Sequence, residues 1–329
     1  MQNRHRNCVT KAGERPLLRA AAVHLALALI LLATGCTLSL SPLARHTAAF
    51  STATAVIIDN SEDAYRAANQ LRRDEQIAAA IDGYDKVPNW SPYTALQPLL
   101  TPDQLSARIK VLDALKAYAQ QLADLTNSKK QNESLGEAAA AAGNGLRSLS
   151  AATTSDLQKV FPGLSAMTAP ESDGVSTAIV ALANLLINGK VKKALAKTTQ
   201  DMDPNIEILC KLIDSDVKII RRQADVDYQT LIGNNDQFIR HSQLDPALRR
   251  GEIAKLITLA LQQQDNDALL ARLQKAIVTL ALTHHALAVA AQGNNPESIQ
   301  QHIAELSSVG QDLGNYYKLI SIRVTQSAK

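Results

Sequence analysis

Aromatic residues make up only 3% of this 329-residue chain, although 46% of it is apolar. Alanine and leucine therefore supply much of the apolar surface. Strands favour β-branched and aromatic side chains, so this composition argues against a sheet core. Alanine and leucine are among the best helix formers. The chain also lacks a phosphate loop, a serine nucleophile elbow, zinc-ligand spacing and a dinucleotide fingerprint, which excludes the enzyme classes those motifs announce. No fixed-period repeat of the solenoid kind is present. The apolar runs 20–33, 174–187 and 276–291 all fall short of the roughly 18–20 residues of a membrane-spanning helix.

Acidic residues are scarce at the start of the chain, and this explains the basic charge. The formal net charge is +3, from 34 Lys and Arg against 31 Asp and Glu. Arg4, Arg6, Lys11, Arg15 and Arg19 stand against Glu14 alone within residues 1–35. Without that segment 29 basic residues face 30 acidic ones. The remainder lacks the basic footprint of a nucleic-acid-binding domain, and no nucleic-acid partner is expected.

The apolar stretch at residues 20–33 is 14 residues long, the size of a signal-peptide core. The segment ends in Leu32, Ala33, Thr34 and Gly35, and then Cys36. This segment resembles the lipobox of bacterial lipoproteins. Ala33 stands where that family usually has leucine. The resemblance implies recognition of Leu32–Gly35 by signal peptidase II, cleavage before Cys36, and attachment of diacylglyceryl and a further acyl chain such as palmitate. Two or more chains give stable anchoring. Thr37 rather than Asp follows the cysteine, which by the family's sorting rule implies the outer membrane, with the body facing the periplasm. The expected organisation is a signal peptide at 1–35, a lipidated tether at 36–47 and a helical domain at 48–329.

Cysteine is the next scarcity. With Cys8 in the signal and Cys36 lipidated, Cys210 alone remains, so no disulfide forms within the mature chain. Cys210 lies among Ile208, Leu209, Leu212 and Ile213, which reads as a buried apolar position.

The rest of the chain predicts an all-α fold: an elongated antiparallel bundle of about six long helices with coiled-coil-like packing. The spacing predicts helix one over 48–86, with Phe50, Ile57, Ser61, Ala64, Ala68, Leu71, Ala78 and Ile81 on one stripe and a break at Asn60–Ser61. Prolines at 88, 92, 98 and 102 predict a loop ending in Thr101 as N-cap. Helix two runs over 102–131, with Leu105, Ile109, Leu112, Leu115, Ala119 and Leu122 inward, and residues 132–161 continue as helix weakened at Gly143 and Gly145. After a loop at 163–173 with Ser172 as cap, helix three spans 173–202. Helix four spans 204–233, started by Asp203–Pro204 and stopped by Gly233–Asn234–Asn235. Its stripe is Ile206, Leu209, Ile213, Val217, Ile220, Ala224 and Leu231. Helix five runs from Asp245–Pro246 to Gln292, with an interruption near Gln264–Asn266. Gly293 to Pro296 stop it and start helix six, 296–324. There Ile299, Ile303, Leu306, Gly310, Leu313, Tyr317 and Ile320 alternate four and three, the spacing of a packed seam.

Few residues invite chemistry. Adjacent His284 and His285 point about 100° apart on a helix, and His284 falls on the apolar stripe of Leu273, Ile277, Leu280 and Leu287, which reads as a core histidine. His302 and Glu305 share a face, read as solvated, with His302 outward. Tyr84, Trp90 and Tyr93 cluster with the prolines as an apolar plug. Residues 174–187 and 276–291 read as buried core helices. The alternative is a membrane-inserting hairpin of a pore-forming or membrane-remodelling protein. Cys210, His46, His241, His284, His285 and His302 are too scattered for the convergent ligands of a zinc site, so no metal or other cofactor is expected. The leading expectation is a non-enzymatic, lipid-anchored helical protein of the cell envelope, held by its lipid at a membrane and serving a protein partner as a structural, adaptor or binding element. An envelope enzyme or metal-binding protein is the weakest alternative.

Overall fold

Proline at the first helical turn and a short polar residue just before it start helices, and this chain uses both repeatedly. The computed structural model describes residues 42–84, 91, 96–126, 133–188, 195–293 and 296–327. Leu32–Cys36, Trp90 and Tyr93 lie outside the described residues, as do the side chains of Tyr317 and Ile320. The chain divides into two units, Met1–Pro42 and Leu43–Lys329; the second unit contains the fold.

The fold is all-α. Among the described residues there are eight α-helices and no strand: α1 (Pro42–Gly83), α2 (Pro102–Thr126), α3 (Glu133–Ser150), α4 (Thr154–Val160), α5 (Ala169–Asn188), α6 (Leu195–His241), α7 (Pro246–Ala291) and α8 (Pro296–Ser327). A short 3₁₀ turn, Pro162–Ala166, joins α4 to α5. Thr101 and Gln104 cap α2 reciprocally: Gln104 N–H donates to Thr101 Oγ1 at 3.3 Å, and Thr101 N–H to Gln104 Oε1 at 2.9 Å. Asp245 caps α7 through the amides of Ala247 and Leu248. Gly293 closes α7 with φ of 85°, a backbone angle that glycine tolerates.

Side-chain pairs fix the helix directions. Thr47–Thr126, Ser51–Gln120 and Asp59–Lys116 set α1 antiparallel to α2. Asp214–Gln274, Arg221–Asp267 and Asp225–Gln263 do the same for α6 and α7. On the last helix the seam residues Ile299, Ile303, Leu306, Gly310 and Leu313 are all buried. A Cβ placed on Gly310 would lie 3.9 Å from Ala53 Cβ on α1. The stripe Ile206, Leu209, Ile213, Val217, Ile220, Ala224 and Leu231 is buried throughout.

Several expected boundaries are corrected. Helix α1 begins at Pro42, inside the segment read as tether, and crosses Asn60–Ser61 without a break. There Asn60 Nδ2 donates to Val56 O and Ser61 Oγ to Ile57 O, so both side chains bond within the helix instead of starting a new one. The α1 stripe is buried through Ala68, but Ile81 is 72% exposed. Residues 133–160 form two helices, because Thr153 caps a new start through Asp156 N–H. Helix α5 starts at Ala169 rather than at a Ser172 cap; Thr168 donates from both its N–H and its hydroxyl to Glu171 Oε2. Pro204 lies inside α6, which runs 47 residues to His241, about 70 Å at 1.5 Å per residue. Asn205 Nδ2 donates to Asp201 O in the turn that proline disrupts. Gly233–Asn235 does not stop α6 either: Leu231 and Ile239 stay buried on one face, and Asn235 Nδ2 bonds Leu231 O. Helix α7 is continuous through Gln264–Asn266.

The apolar runs serve the core. Val175, Ala178, Ile179, Leu182, Ala183 and Leu186 of α5 are at most 3% exposed. Ala276, Ile277, Leu280 and Leu287 of α7 are likewise buried, whereas Val278 and Leu282 are about half exposed. By length and composition α7 is the one described helix that could cross a membrane, and 56% of its most apolar stretch is buried.

Candidate functional site

Two layers of buried ionisable groups lie where α2 meets α6. The lower layer centres on His284 of α7, which has no exposed surface. Its Nδ1 lies 2.9 Å from Asp203 Oδ1 on α6, and its Nε2 lies 2.8 Å from Tyr118 Oη on α2. Phe50 of α1 and Tyr118 lie with ring centres 6.0 and 5.6 Å from the imidazole. His285, next along α7, places its Nδ1 2.6 Å from the second oxygen of the same carboxylate. Although the two imidazoles are adjacent on α7, Asp203 binds them both, one on each oxygen. An ionised carboxylate only accepts hydrogen bonds. His284 therefore donates from Nδ1 and accepts the Tyr118 hydroxyl proton at Nε2.

The electrostatics agree with that assignment. Burial pushes the His284 imidazole below its usual value, more than Asp203 raises it. Burial also opposes ionisation of Asp203, but hydrogen bonds from His284 and His285 outweigh it and hold the carboxyl below the usual range. Burial and then the Asp203 charge push the Tyr118 hydroxyl well up.

The upper layer is an ion pair. Arg108 of α2 and Asp216 of α6 are each 2% exposed, with Nη2 3.0 Å from Oδ2. Arg108 Nη1 also donates to the carbonyls of Gln104 and Val160, and the guanidinium lies 5.0 Å from the Phe161 ring centre. Gly163 N–H donates to Asp216 Oδ1 at 3.1 Å. A Cβ on Gly163 would sit 2.5 Å from that oxygen, so only glycine lets the 3₁₀ turn approach. Burial pushes the Asp216 carboxyl up, against the pull of Arg108. Farther along, Arg72 of α1 bonds Asp227 of α6 at 2.8 Å and Glu75 at 3.0 Å.

Tyr118, His284 and Asp203 have the bonding order of a nucleophile, base and orienting acid, but Tyr118 is 1% exposed and lines neither of two surface clefts among the described residues. The clefts lie elsewhere. One of about 380 Å³ is lined by Arg66, Asn69, Gln70, Arg73, Gln76 and residues 96–98, and one of about 410 Å³ by Lys218, Arg221, Arg222, Asp225, Asp267 and Gln274. Among the described residues no three His, Cys, Asp or Glu side chains converge as metal ligands. Cys210 is buried, and burial pushes its thiol up to about 12, the state of a structural cysteine. His302 is half-buried, while Glu305 is exposed. Tyr84 is 61% exposed.

Asp203, Arg108 and Asp216 did not emerge from the sequence. By local rules Asp203 reads as a helix cap, because proline follows it. A charged residue at buried spacing is the signal that finds the other two: Arg108 stands four before Leu112, and Asp216 three after Ile213 and four before Ile220. Compared with known protein families, curated proteins and solved structures, the chain matches none of them.

Proposed function

We propose that this chain is a bacterial lipoprotein. In this reading its helical unit is held at the membrane through acyl chains on Cys36, in the outer membrane and facing the periplasm, as a non-enzymatic structural, adaptor or binding element for an envelope protein. The observation that carries this reading is the 14-residue apolar stretch ending directly in Leu32–Ala33–Thr34–Gly35–Cys36. Two further features support it. Only residues 37–41 lie between Cys36 and Pro42, where α1 begins. The near-neutral balance of 29 basic and 30 acidic residues after Cys36 suits a protein that does not depend on charge to hold a membrane or nucleic acid.

The test is metabolic labelling with a fatty acid in a bacterial host expressing the full chain. The wild type incorporates label and is processed to a shorter form; Cys36→Ser does neither. Label retained by Cys36→Ser overturns the reading. A membrane-inserting role draws only on α7, and the burial of Ala276, Leu280 and Leu287 inside the bundle argues for the anchored form instead.

A further inference from the structure

We propose that Tyr118, His284, Asp203 and His285 form an acid-sensitive latch that holds the early part of α6 and the last turns of α7 against α2. The inference is independent of lipid anchoring. It rests on the inventory of protons in a linear chain of three hydrogen bonds, His285–Asp203–His284–Tyr118. Ionised Asp203 accepts from both imidazoles, and neutral His284 has one donor and one acceptor, both engaged. Only that pattern satisfies every atom. A proton added at His284 Nε2 would face the hydroxyl proton of Tyr118, whose oxygen has no other hydrogen-bond partner among the described residues. The tyrosine would have to turn its proton into an apolar core. The resulting imidazolium would be fully buried, with one carboxylate, shared with His285, as its counter-charge.

The surroundings offer no relief. α1 contributes the uncharged Phe50 ring, α2 contributes Tyr118, and α6 contributes Asp203. α8 reaches this layer through the His302 carbonyl, which accepts from Thr283 Oγ1 at 3.3 Å. His46 of α1 and His302 of α8 are half-buried, and neither side chain bonds the set. Protons can arrive from solvent, because the His285 side chain is 67% exposed and that of Asp203 23%.

The sign follows from linkage. His284 is depressed in the folded state, so its stabilising contribution is complete above the ordinary imidazole value of about 6.5 and is lost as pH falls below it. Asp203 is also depressed, and its share is lost in stronger acid, below about pH 3.9. Burial raises Glu62, Glu75, Asp113 and Asp216, which act in the opposite sense from about pH 4 upward, so overall stability alone does not isolate the latch.

The experiment is amide hydrogen exchange of the full-length chain in mild detergent at pH 7.5 and 5.5, corrected for intrinsic rates. Protection over 198–206 and 280–290 should fall at pH 5.5, by at most about tenfold, the gain of an opened imidazole one unit below about 6.5. Residues 108–115 and 212–220, around the Arg108–Asp216 pair, should not follow. His284→Gln should abolish the pH difference. Tyr118→Phe removes the competing hydroxyl and should move the opening to higher pH while leaving the ring in place. Equal protection at both pH values in the wild type overturns the proposal, as does an unchanged response in His284→Gln or, should that variant not fold, in Tyr118→Phe.

Discussion

The α6–α7 hairpin differs between its two halves. Over 202–220 and 269–288 it lies in the core beside α1, α2, α5 and α8, and both the His284 layer and the Arg108–Asp216 pair sit there. Between 221 and 268 only Ala224, Asp227, Leu231 and Ile239 are buried. Most exposed large apolar residues of the hairpin lie in that second half: Val226, Phe238, Leu248, Ile253, Ile257 and Leu261, against Val278 and Leu282 in the first, with Ile77, Ile81 and Tyr84 at the end of α1. The two helices remain regular along both halves, held in the second by i,i+4 pairs such as Asp236–Arg240 and by cross-links such as Arg221–Asp267 and Arg249 to Ile239 O. Helical periodicity thus marks a helix, and the number of neighbours decides how much of its face is buried. Stability should follow burial rather than helicity.

Substitutions can break that contrast, and the largest effect belongs to the buried ion pair. Arg108→Ala leaves Asp216 as an uncompensated buried charge and should cost about 3–5 kcal/mol in urea unfolding. Arg108→Leu combined with Asp216→Leu should recover much of this, because the desolvation of both charges is removed together. Next comes the seam of α8. Gly310→Arg must force a long charged chain between α8 and Ala53, at a cost on the order of 3 kcal/mol, whereas exposed Gln311→Arg should stay within about 0.5 kcal/mol. Equal unfolding midpoints for the two variants would refute the seam. Gly163→Ala should cost about 1–3 kcal/mol, since its Cβ meets Asp216 Oδ1 and backbone, and the loss should show as a lower thermal midpoint. The smallest effect is expected where the hairpin is thinly covered: Ile257→Ser should change stability by less than about 0.5 kcal/mol in the same assay. A large loss there would mean that the exposed stripe is a second core.

Much of the fold was legible in the sequence because it depends on local rules. The stripe from Ile206 to Leu231, the seam from Ile299 to Leu313, the caps at Thr101 and Asp245, the stop at Gly293 and the burial of Cys210 and His284 all follow from spacing and backbone chemistry. What failed was the reading of Pro204, Gly233 and Ser61 as boundaries. In each case contacts outweighed a local preference of about 1–3 kcal/mol: Asp203 is pinned by two histidines, Leu231 and Ile239 are buried, and Ser61 bonds back along α1. The partners of His284 were hidden for another reason. Tyr118 lies 166 residues away in sequence and Asp203 lies 81, and no local spacing encodes such pairs.

The contrast between the two halves has one direct measurement, amide exchange at a single neutral pH across α6 and α7. Amides in 207–220 and 269–279 should exchange only through global unfolding, while those in 228–262 exchange at least about 100-fold faster through local opening. Uniform protection along both helices would contradict the account.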